Sequence, residues 1–242
     1  MIRLDKYLAD MGKGTRQEVK KLIHKGNILV NGEVVKKPET KIDIEKDEVL
    51  LNGEKVAYAE YEYYMLHKPM GVISASRDPK QATVLDLIDD KKRKDLFPVG
   101  RLDKDTEGLL LITNDGELSH RLLSPSKHVD KVYFAHIDGR VTEETKENFA
   151  KGVNIGTAEE PEWTKPAHLE ILESNDESKI RLTICEGKFH QVKRMFESQN
   201  MTVTYLKREA MGSLVLDESL AKGEYRELTM REVENLWSGT KK

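Results

Sequence analysis

The stretch from Gly100 to Gly116 constrains this chain more than any other. It begins as a polar loop that contains Asp103, with Arg101 two residues earlier. It then becomes a short apolar run, Leu109–Ile112, whose length is typical of a buried strand. An Asn-Asp-Gly sequence, which is a turn signal, ends the run. Asp103 is therefore predicted to lie on a loop that leads into a core strand, and loops held by a rigid scaffold often carry catalytic groups.

The composition excludes several classes of protein. The 242 residues suffice for a small domain plus a medium one. Charged residues make up 34% of the chain, and no apolar run approaches the length of a transmembrane helix. The first residues show no signal-peptide core. Cys185 is the single cysteine, which excludes an intrachain disulfide and a cysteine-based zinc site. We therefore expect a cytoplasmic protein that does not interact with membranes.

Positive charge is concentrated in two islands, although the whole chain has a net charge of −3. Residues 1–25 contain seven Lys or Arg against three Asp or Glu, and residues 187–208 contain five against one. Two basic islands in an otherwise acidic chain suit the local binding of a polyanion. Ordinary solvated faces would give the same pattern, so charge alone leaves both interpretations open.

Residues 1–56 are predicted to form a small separate module. An apolar stripe over residues 4–11 predicts a helix. Thr15 and Glu18 form a capping-box pattern at the start of a second helix. Apolar segments on both sides of Asn31-Gly32 predict a hairpin with a type I′ turn. Strand-like segments and capped helical segments then alternate through the rest of the chain.

Three motifs resemble those of the pseudouridine synthases. The central stretch contains Gly-Arg-Leu-Asp, followed by Thr106 and then Gly108-Leu109-Leu110, and is similar to that family's signature. Lys131-Val132-Tyr133 resembles a second motif, and Glu186–Phe196 resembles a third. The resemblance covers nearly the whole chain and is strongest to the RsuA/RluB/RluE/RluF group.

The N-terminal module resembles the S4 RNA-binding domain, from Arg3-Leu4-Asp5 through Val30-Asn31-Gly32. Together the two resemblances imply an α+β fold class. An S4 domain of two helices and short strands, at residues 1–56, would be followed by a linker at residues 57–62. A pseudouridine synthase domain at residues 63–242 would contain a mixed, mainly antiparallel sheet flanked by helices.

The resemblance also implies roles for individual residues. Asp103 falls on the family's nucleophile, and Tyr133 falls on a tyrosine expected to stack against the target base. Lys193 falls on a buried base that pairs with the nucleophile and lowers its pKa through opposite charge, although many relatives carry Arg there and Lys lacks the bidentate fork. His67 and Lys68 are interpreted as turn residues without a catalytic role. The residues expected to bind RNA are Arg101, Arg194, Arg3, Lys6, Arg16 and Lys20.

The reaction implied by the resemblance is the isomerisation of one uridine to pseudouridine, after the uridine leaves its stack. It requires an ionised carboxylate and neither a metal nor another cofactor, and no dinucleotide, P-loop or metal-ligand spacing occurs in the sequence. Covalent and glycal-type intermediates are both compatible with the residues. Residues 164–167 and 189–195 favour the RsuA branch. The expected partner is therefore 16S ribosomal RNA in a partly assembled small subunit, and the expected enzyme is a monomer.

Three alternatives remain open at this point. The target could be large-subunit (23S) ribosomal RNA. A glycoside or nucleoside hydrolase could use Asp103 with Asp105 as its carboxylate pair, although this does not explain the basic N-terminal module. A non-catalytic RNA-binding assembly factor would use the basic islands alone, although the combination of Asp103, Tyr133 and Lys193 argues for an enzyme.

Overall fold

A computed structural model describes residues 1–240. Contacts divide the chain into two compact units. The smaller unit comprises residues 1–62 together with residues 89–96, and the larger unit comprises residues 63–88 together with the chain from residue 97 onward. Within the described residues, no helix is both long and apolar enough to cross a membrane.

The smaller unit combines two helices with short strands around one apolar core. The predicted capping box is present, because the Thr15 hydroxyl accepts a hydrogen bond from the Glu18 backbone while the Glu18 carboxylate accepts one from the Thr15 backbone. Asn31 and Gly32 have φ angles of 51° and 84°, as the predicted hairpin turn requires. The elements are β1 (Ile2–Arg3), α1 (Leu4–Asp10), α2 (Arg16–His24), β2 (Ile28–Val30), β3 (Glu33–Val34), β4 (Lys41–Ile42), β5 (Val49–Leu51) and β6 (Glu54–Lys55). Strand β1 pairs with β4, and the other strands form a sheet in the order β3-β2-β5-β6.

Residues 89–96 belong to the smaller unit, although 26 residues of the larger unit, 63–88, separate them from the rest of it in sequence. Arg93 is only 5% exposed. Its guanidinium donates hydrogen bonds to both carboxylate oxygens of Asp95 and to the backbone oxygen of Ala59. Its backbone nitrogen donates to the carboxylate of Glu62 over 2.8 Å. One buried arginine therefore ties this segment to the end of the N-terminal region.

The larger unit is built on a nine-stranded sheet. Its strands are β7 (Tyr63–Lys68), β8 (Phe97–Pro98), β9 (Glu107–Thr113), β10 (Lys131–Asp138), β11 (His168–Glu173), β12 (Glu177–Ile184), β13 (Thr202–Met211), β14 (Leu214–Val215) and β15 (Tyr225–Glu227). The main path of the sheet runs β11-β12-β10-β13-β9-β7-β15, with β14 beside β13 and β8 beside β9. All of these strand pairs are antiparallel except β13 with β9. The predicted α+β class with a mixed, mainly antiparallel sheet is confirmed. The helices are α3 (Gly116–Leu123), α4 (Glu143–Lys151), α5 (Gln191–Glu197) and α6 (Met230–Gly239), with 3₁₀ turns at Val84–Leu87 and Pro125–Lys127.

The parallel contact between β9 and β13 depends on Gly108. This residue lies opposite Arg208 and has a φ of 105°. A Cβ atom added to Gly108 would lie 2.2 Å from the backbone oxygen of Arg208. Only glycine fits such a close approach between two backbones. The glycine of the central sequence motif therefore allows β13 to pack beside the strand that follows the Asp103 loop.

Strand β9 is buried on both faces. Leu109 and Leu111 belong to an apolar cluster that also includes Leu118 and Leu122 of α3 and Leu236 of α6. All seven residues of the strand are buried. A strand that is packed on both faces is held firmly. The loop that contains Asp103 therefore ends at a rigid strand.

Candidate active site

Lys68 fixes the loop that carries Asp103. The side chain of Lys68 is completely buried. Its Nζ lies 2.9 Å from the backbone oxygen of Asp103, 2.8 Å from that of Thr106 and 3.1 Å from that of Pro69. Burial lowers the pKa of Lys68 to about 8, against the opposing effect of nearby carboxylates. Lys68 is the last residue of β7. Its buried ammonium therefore holds the main chain at both ends of the turn that contains Asp103.

A second set of contacts supports the same loop. The hydroxyl of Ser74 donates to the backbone oxygen of Leu102 over 2.8 Å and accepts from its backbone nitrogen over 3.0 Å. The backbone nitrogen of Gly71 donates to the backbone oxygen of Lys104 over 2.8 Å. The segment after β7 therefore contacts the loop directly before and directly after Asp103.

A small pocket of about 80 Å³ adjoins Asp103. Tyr133 of β10 and Leu206 of β13 line it with side chains that are only 8% and 5% exposed. The Asp103 side chain is 31% exposed, so its carboxylate is accessible from outside. The structure brings together four residues that the sequence singled out, since Asp103, Tyr133, Lys193 and Arg101 all line this pocket. Its other lining residues include Thr106, Ile184, Lys188, His190 and Val192.

Lys193 contacts two carboxylates rather than one. Its Nζ lies 2.7 and 2.8 Å from the two carboxylate oxygens of Asp105 and 3.6 Å from Oδ2 of Asp103. The hydrogen bond from Lys193 lowers the pKa of Asp105. Nε2 of His190 lies 3.5 Å from the other oxygen of Asp103. The expected pairing of Lys193 with Asp103 is therefore the longer of its two contacts, and the sequence did not reveal the shorter one.

Gln191 positions the start of α5, which carries Lys193. Its side-chain oxygen accepts a hydrogen bond from the Lys188 backbone nitrogen, and its side-chain nitrogen donates to the Glu186 carboxylate. Glu186 also accepts from the Lys165 backbone nitrogen over 2.8 Å. These contacts close the loop in front of α5, so that Lys193 and His190 both reach Asp103.

Arg194 has internal partners. Its guanidinium donates to the backbone oxygens of Ile155 and Phe189 and to the Glu162 carboxylate, the last over 2.6 Å. The same hydrogen bond lowers the pKa of Glu162. Arg194 is not among the residues that line the pocket. Its side chain braces the loop around Ile155 against α5, and its expected contact with RNA stays a prediction.

In the smaller unit, three of the residues expected to bind RNA surround one carboxylate. Asp5 is completely buried, with Arg3 and Arg16 each 3.0 Å and Lys20 4.0 Å from its oxygens. Burial alone would raise the pKa of Asp5, but hydrogen bonds from Arg3 and Arg16 outweigh it and lower the pKa. The three cationic side chains are about half exposed. Lys6 instead pairs with Asp10 at 2.6 Å.

The sequence did not reveal that two further residues, Lys68 and His190, contact Asp103. Lys68 was interpreted as a turn residue, but it is the last residue of β7 and its side chain is completely buried, which is rare for lysine. His190 stands in the αL region with a φ of 48°, and its sequence gave no sign of a contact with Asp103. In residues 1–240, no three His, Cys, Asp or Glu side chains are grouped so that they could hold a metal ion.

Comparison with known proteins identifies the family. Residues 62–198 match the model of RNA pseudouridylate synthases, and residues 2–49 match that of the S4 domain. An uncharacterized RNA pseudouridine synthase of Bacillus subtilis, YtzG, is 48% identical over 96% of this chain and 97% of its own length. Ribosomal small subunit pseudouridine synthase A of Vibrio parahaemolyticus is 41% identical over 98% and 100%. The corresponding Escherichia coli protein is 40% identical over 96% and 98%.

The structural comparison agrees. A crystal structure of a pseudouridylate synthase has a TM-score of 0.67 at 40% identity and covers 98% of this chain and 100% of that one. An S4 domain followed by an α+β domain with a carboxylate beside a small pocket defines a class of RNA-modifying enzyme. The chain belongs to the RNA pseudouridylate synthase family and is a pseudouridine synthase, an isomerase. The family expected from the sequence motifs is thereby confirmed.

Proposed function

We propose that this enzyme converts a single uridine of small-subunit (16S) ribosomal RNA to pseudouridine, with Asp103 as the nucleophile. The choice of RNA is supported by full-length relatives named ribosomal small subunit pseudouridine synthase A, at 41% and 40% identity. The observation that carries the catalytic assignment is the accessible carboxylate of Asp103 beside a pocket lined by Tyr133 and Leu206. The substrate is a partly assembled small subunit, and the enzyme acts as a monomer.

The target uridine first leaves its stack, because its sugar carbon cannot be reached within a paired helix. Its uracil then enters the pocket, where the Tyr133 ring supports the base. In one route, a carboxylate oxygen of Asp103 bonds to C1′ as the N1–C1′ bond breaks. The uracil turns, C5 bonds to C1′, and the carboxylate leaves. Loss of the C5 proton, with a proton gained at N1, gives a product of unchanged composition.

A second route uses the same carboxylate as a base. Asp103 removes the C2′ proton as the N1–C1′ bond breaks, which gives a glycal that is later re-protonated when C5 bonds to C1′. Both routes need Asp103 ionised. The ammonium of Lys193 lies 3.6 Å from Oδ2 of Asp103. Because Lys193 donates its short hydrogen bonds to Asp105, the lone pairs of Asp103 stay available to the substrate.

The test is turnover of 16S ribosomal RNA labelled with tritium at C5 of uridine, both as a naked transcript and with small-subunit proteins bound. Release of tritium together with one mapped pseudouridine is expected for the wild type. Asp103→Asn removes the negative charge and is expected to lower the rate at least about 10⁴-fold. Asp105→Asn is the matched control and should retain most activity.

Other outcomes identify the alternatives. Modification of 23S ribosomal RNA alone would reassign the substrate. Release of free uracil, with both Asp103→Asn and Asp105→Asn inactive, would indicate a two-carboxylate hydrolase. RNA binding without any product would indicate an assembly factor. Substantial tritium release by Asp103→Asn would remove Asp103 from the mechanism.

A further inference from the structure

We propose that Phe189 and His190 form a stacking site for a second base of the RNA, beside the pocket that receives the target uracil. This inference rests on the proposed function in taking RNA as the substrate. The rings of the two residues lie face to face, with centroids 3.7 Å apart and planes inclined by 21°. Phe189 is 66% exposed. Single exposed apolar side chains are common on protein surfaces, but this one is stacked on a residue of the Asp103 pocket.

His190 connects the Phe189 ring to Asp103. It lines the pocket, and its Nε2 lies 3.5 Å from Oδ1 of Asp103. A single imidazole ring therefore separates Phe189 from the candidate nucleophile. Because the target uracil lies at Asp103, a base stacked on the outer face of Phe189 belongs to a nucleotide close to the target uridine in the RNA chain.

Main-chain hydrogen bonds hold both rings in place. Nη1 of Arg194 donates to the backbone oxygen of Phe189 over 3.0 Å, and the backbone nitrogen of Arg194 donates to that of His190 over 3.0 Å. The backbone nitrogen of Gln191 donates to the backbone oxygen of Lys188 over 3.2 Å, which closes the turn around the two residues. Because the exposed ring is carried by a fixed main chain, it loses little conformational freedom when a ligand binds.

The backbone of His190 adopts a conformation that is uncommon for a residue other than glycine. Its φ of 48° and ψ of 33° lie in the left-handed region. Such residues persist where the surrounding contacts hold them, and they are concentrated at active sites and ligand clamps. The turn at His190 leaves Phe189 on the loop before α5, while His190 itself reaches Asp103. The strained residue is thus the one that joins the exposed ring to the pocket.

The open face of Phe189 suits an unpaired base. One face of the ring lies on His190, and the exposed fraction leaves the other face open to solvent. The ring has no polar atom, so it offers a partner only flat stacking and apolar contact. Single-stranded RNA supplies such a partner, since its unstacked bases stack on aromatic side chains.

Base flipping makes a base available to Phe189. When the target uridine leaves its stack, the bases on either side of it lose a stacking neighbour. A ring beside the pocket gives one of them a new neighbour and offsets part of the cost of flipping. Because every base has a π face, this stacking is insensitive to sequence. Phe189 is thus assigned to the affinity and position of the RNA rather than to the choice of sequence.

The test measures RNA binding and turnover by three variants of the full-length enzyme. Phe189→Leu keeps an apolar side chain but removes the flat ring, and Phe189→Tyr keeps the ring. Trp163→Leu is the matched control. Trp163 is 64% exposed but lines a different cavity, with Ser198 and Gln199, which directly follow α5. Trp163→Leu therefore removes an aromatic ring of similar exposure at the other end of the helix.

Stacking of one base on an aromatic ring is worth about 5- to 150-fold in affinity. Phe189→Leu should therefore raise the Kd and the KM for the 16S ribosomal RNA transcript at least about fivefold. Phe189→Tyr should stay within about twofold of wild type, because a tyrosine ring stacks as well. Trp163→Leu should bind the RNA and turn it over like the wild type.

Abasic RNA identifies the stacked base. One base at a time, on either side of the mapped uridine, is replaced by a ribose without a base. At the position that stacks on Phe189, loss of the base should weaken binding by the wild type at least about fivefold and binding by Phe189→Leu little further, so the two changes should not be additive. If Phe189→Leu does not fold, Phe189→Met takes its place in the same comparison.

A wild-type Kd and KM in folded Phe189→Leu, or additive losses at every neighbouring position, would overturn the proposal. A loss seen only with small-subunit proteins bound to the RNA would also overturn it and would assign Phe189 to a contact with a protein. These results differ from failure of the proposed function, in which the wild type itself would form no pseudouridine in 16S ribosomal RNA.

Discussion

The ammonium of Lys68 donates a hydrogen bond to the backbone oxygen of Asp103 over 2.9 Å. The same ammonium reaches the Thr106 backbone oxygen over 2.8 Å. A completely buried cation from one strand thus holds the candidate nucleophile by its main chain and leaves its carboxylate free to face the pocket. We therefore propose that Lys68 is a positioning residue, which acts on the reaction through Asp103.

Lys68→Met should lower the tritium-release rate at least about 100-fold, because misplacement of a catalytic group by about 1 Å is enough for such a loss. The effect should appear in kcat, with RNA affinity nearly unchanged. Lys104→Met is the matched control, since Lys104 lies on the same loop but is exposed and bonds only the Gln81 side chain through its Nζ at 2.9 Å. Equal activity of the two variants would show that the Lys68 contacts do not position Asp103.

Lys68 should also make the free energy of unfolding depend on pH. Burial lowers its pKa to about 8 from 10.5. Between these values the unfolded chain binds more protons than the folded one, so the contribution of Lys68 to stability rises with pH. The difference in free energy of unfolding between wild type and Lys68→Met should therefore shift in favour of the wild type from pH 8 to pH 10. Urea unfolding at successive pH values measures it, and a shift in favour of the variant would contradict the assignment.

Two replacements of Lys193 distinguish the effect of its positive charge on the rate from the effect of its shape. Lys193→Met removes the cation shared by Asp103 and Asp105 and should lower the rate about 100- to 1000-fold, as the loss of one electrostatic stabiliser does. The pKa of Asp105 should rise, because the hydrogen bond from Lys193 that lowers it is lost, and carbon-13 NMR of the carboxyl can follow the rise. Lys193→Arg keeps the positive charge and should stay within about tenfold of wild type. Equal rates for Lys193→Met and Lys193→Arg would show that the positive charge at this position is unimportant.

Asp5→Asn should destabilise the protein by about 1–3 kcal/mol, because it removes a buried acceptor of charged hydrogen bonds. It leaves Arg3, Arg16 and Lys20 without their common anion. Since the pKa of Asp5 is lowered in the folded chain, its stabilisation is present above about pH 4 and is lost as the pH falls through the folded pKa. The difference between wild type and variant should therefore shrink in acid. Exposed Glu45→Gln provides the control, with no change expected.

Gly108→Ala should destabilise the chain by about 2–5 kcal/mol, because it combines an unfavourable φ with a clash against the Arg208 backbone. Gly116→Ala is a matched control. Gly116 is the first residue of α3, and an added Cβ would meet nothing within 4 Å. It should be neutral or stabilising by up to about 1 kcal/mol. Thermal unfolding of the two variants distinguishes a close backbone approach from a general intolerance of glycine replacement.

Features set by local sequence were predictable. The capping box at Thr15 and Glu18 depends on residues three apart, and it was found where expected. The run Leu109–Ile112 formed the expected buried strand, although β9 extends one residue further at its end and two at its start. The pocket residues Asp103, Tyr133 and Lys193 were identified by family resemblance, and the fold brings them to one pocket.

Features set by distant contacts were not predictable. In strand β13, the polar residues Lys207 and Arg208 interrupt the apolar pattern of residues 203–206. In the fold it continues to Met211, since a neighbour on each side satisfies its backbone. Arg93 gave no local sign that it would be buried. The short contact of Lys193 with Asp105 likewise depends on two segments 88 residues apart.

The position of β13 determines when a newly made chain can acquire a working pocket. This strand follows both β9 and β10 in the chain, yet it lies between them in the sheet. It carries Leu206 and separates the strand of Tyr133 from the strand that follows Asp103. Before Met211 has left the ribosomal tunnel, β9 and β10 have no strand to join them, and such long-range pairing is slow to form. We therefore expect a nascent chain to stay inactive until the residues up to Met211 have emerged and β13 has paired with β9 and β10.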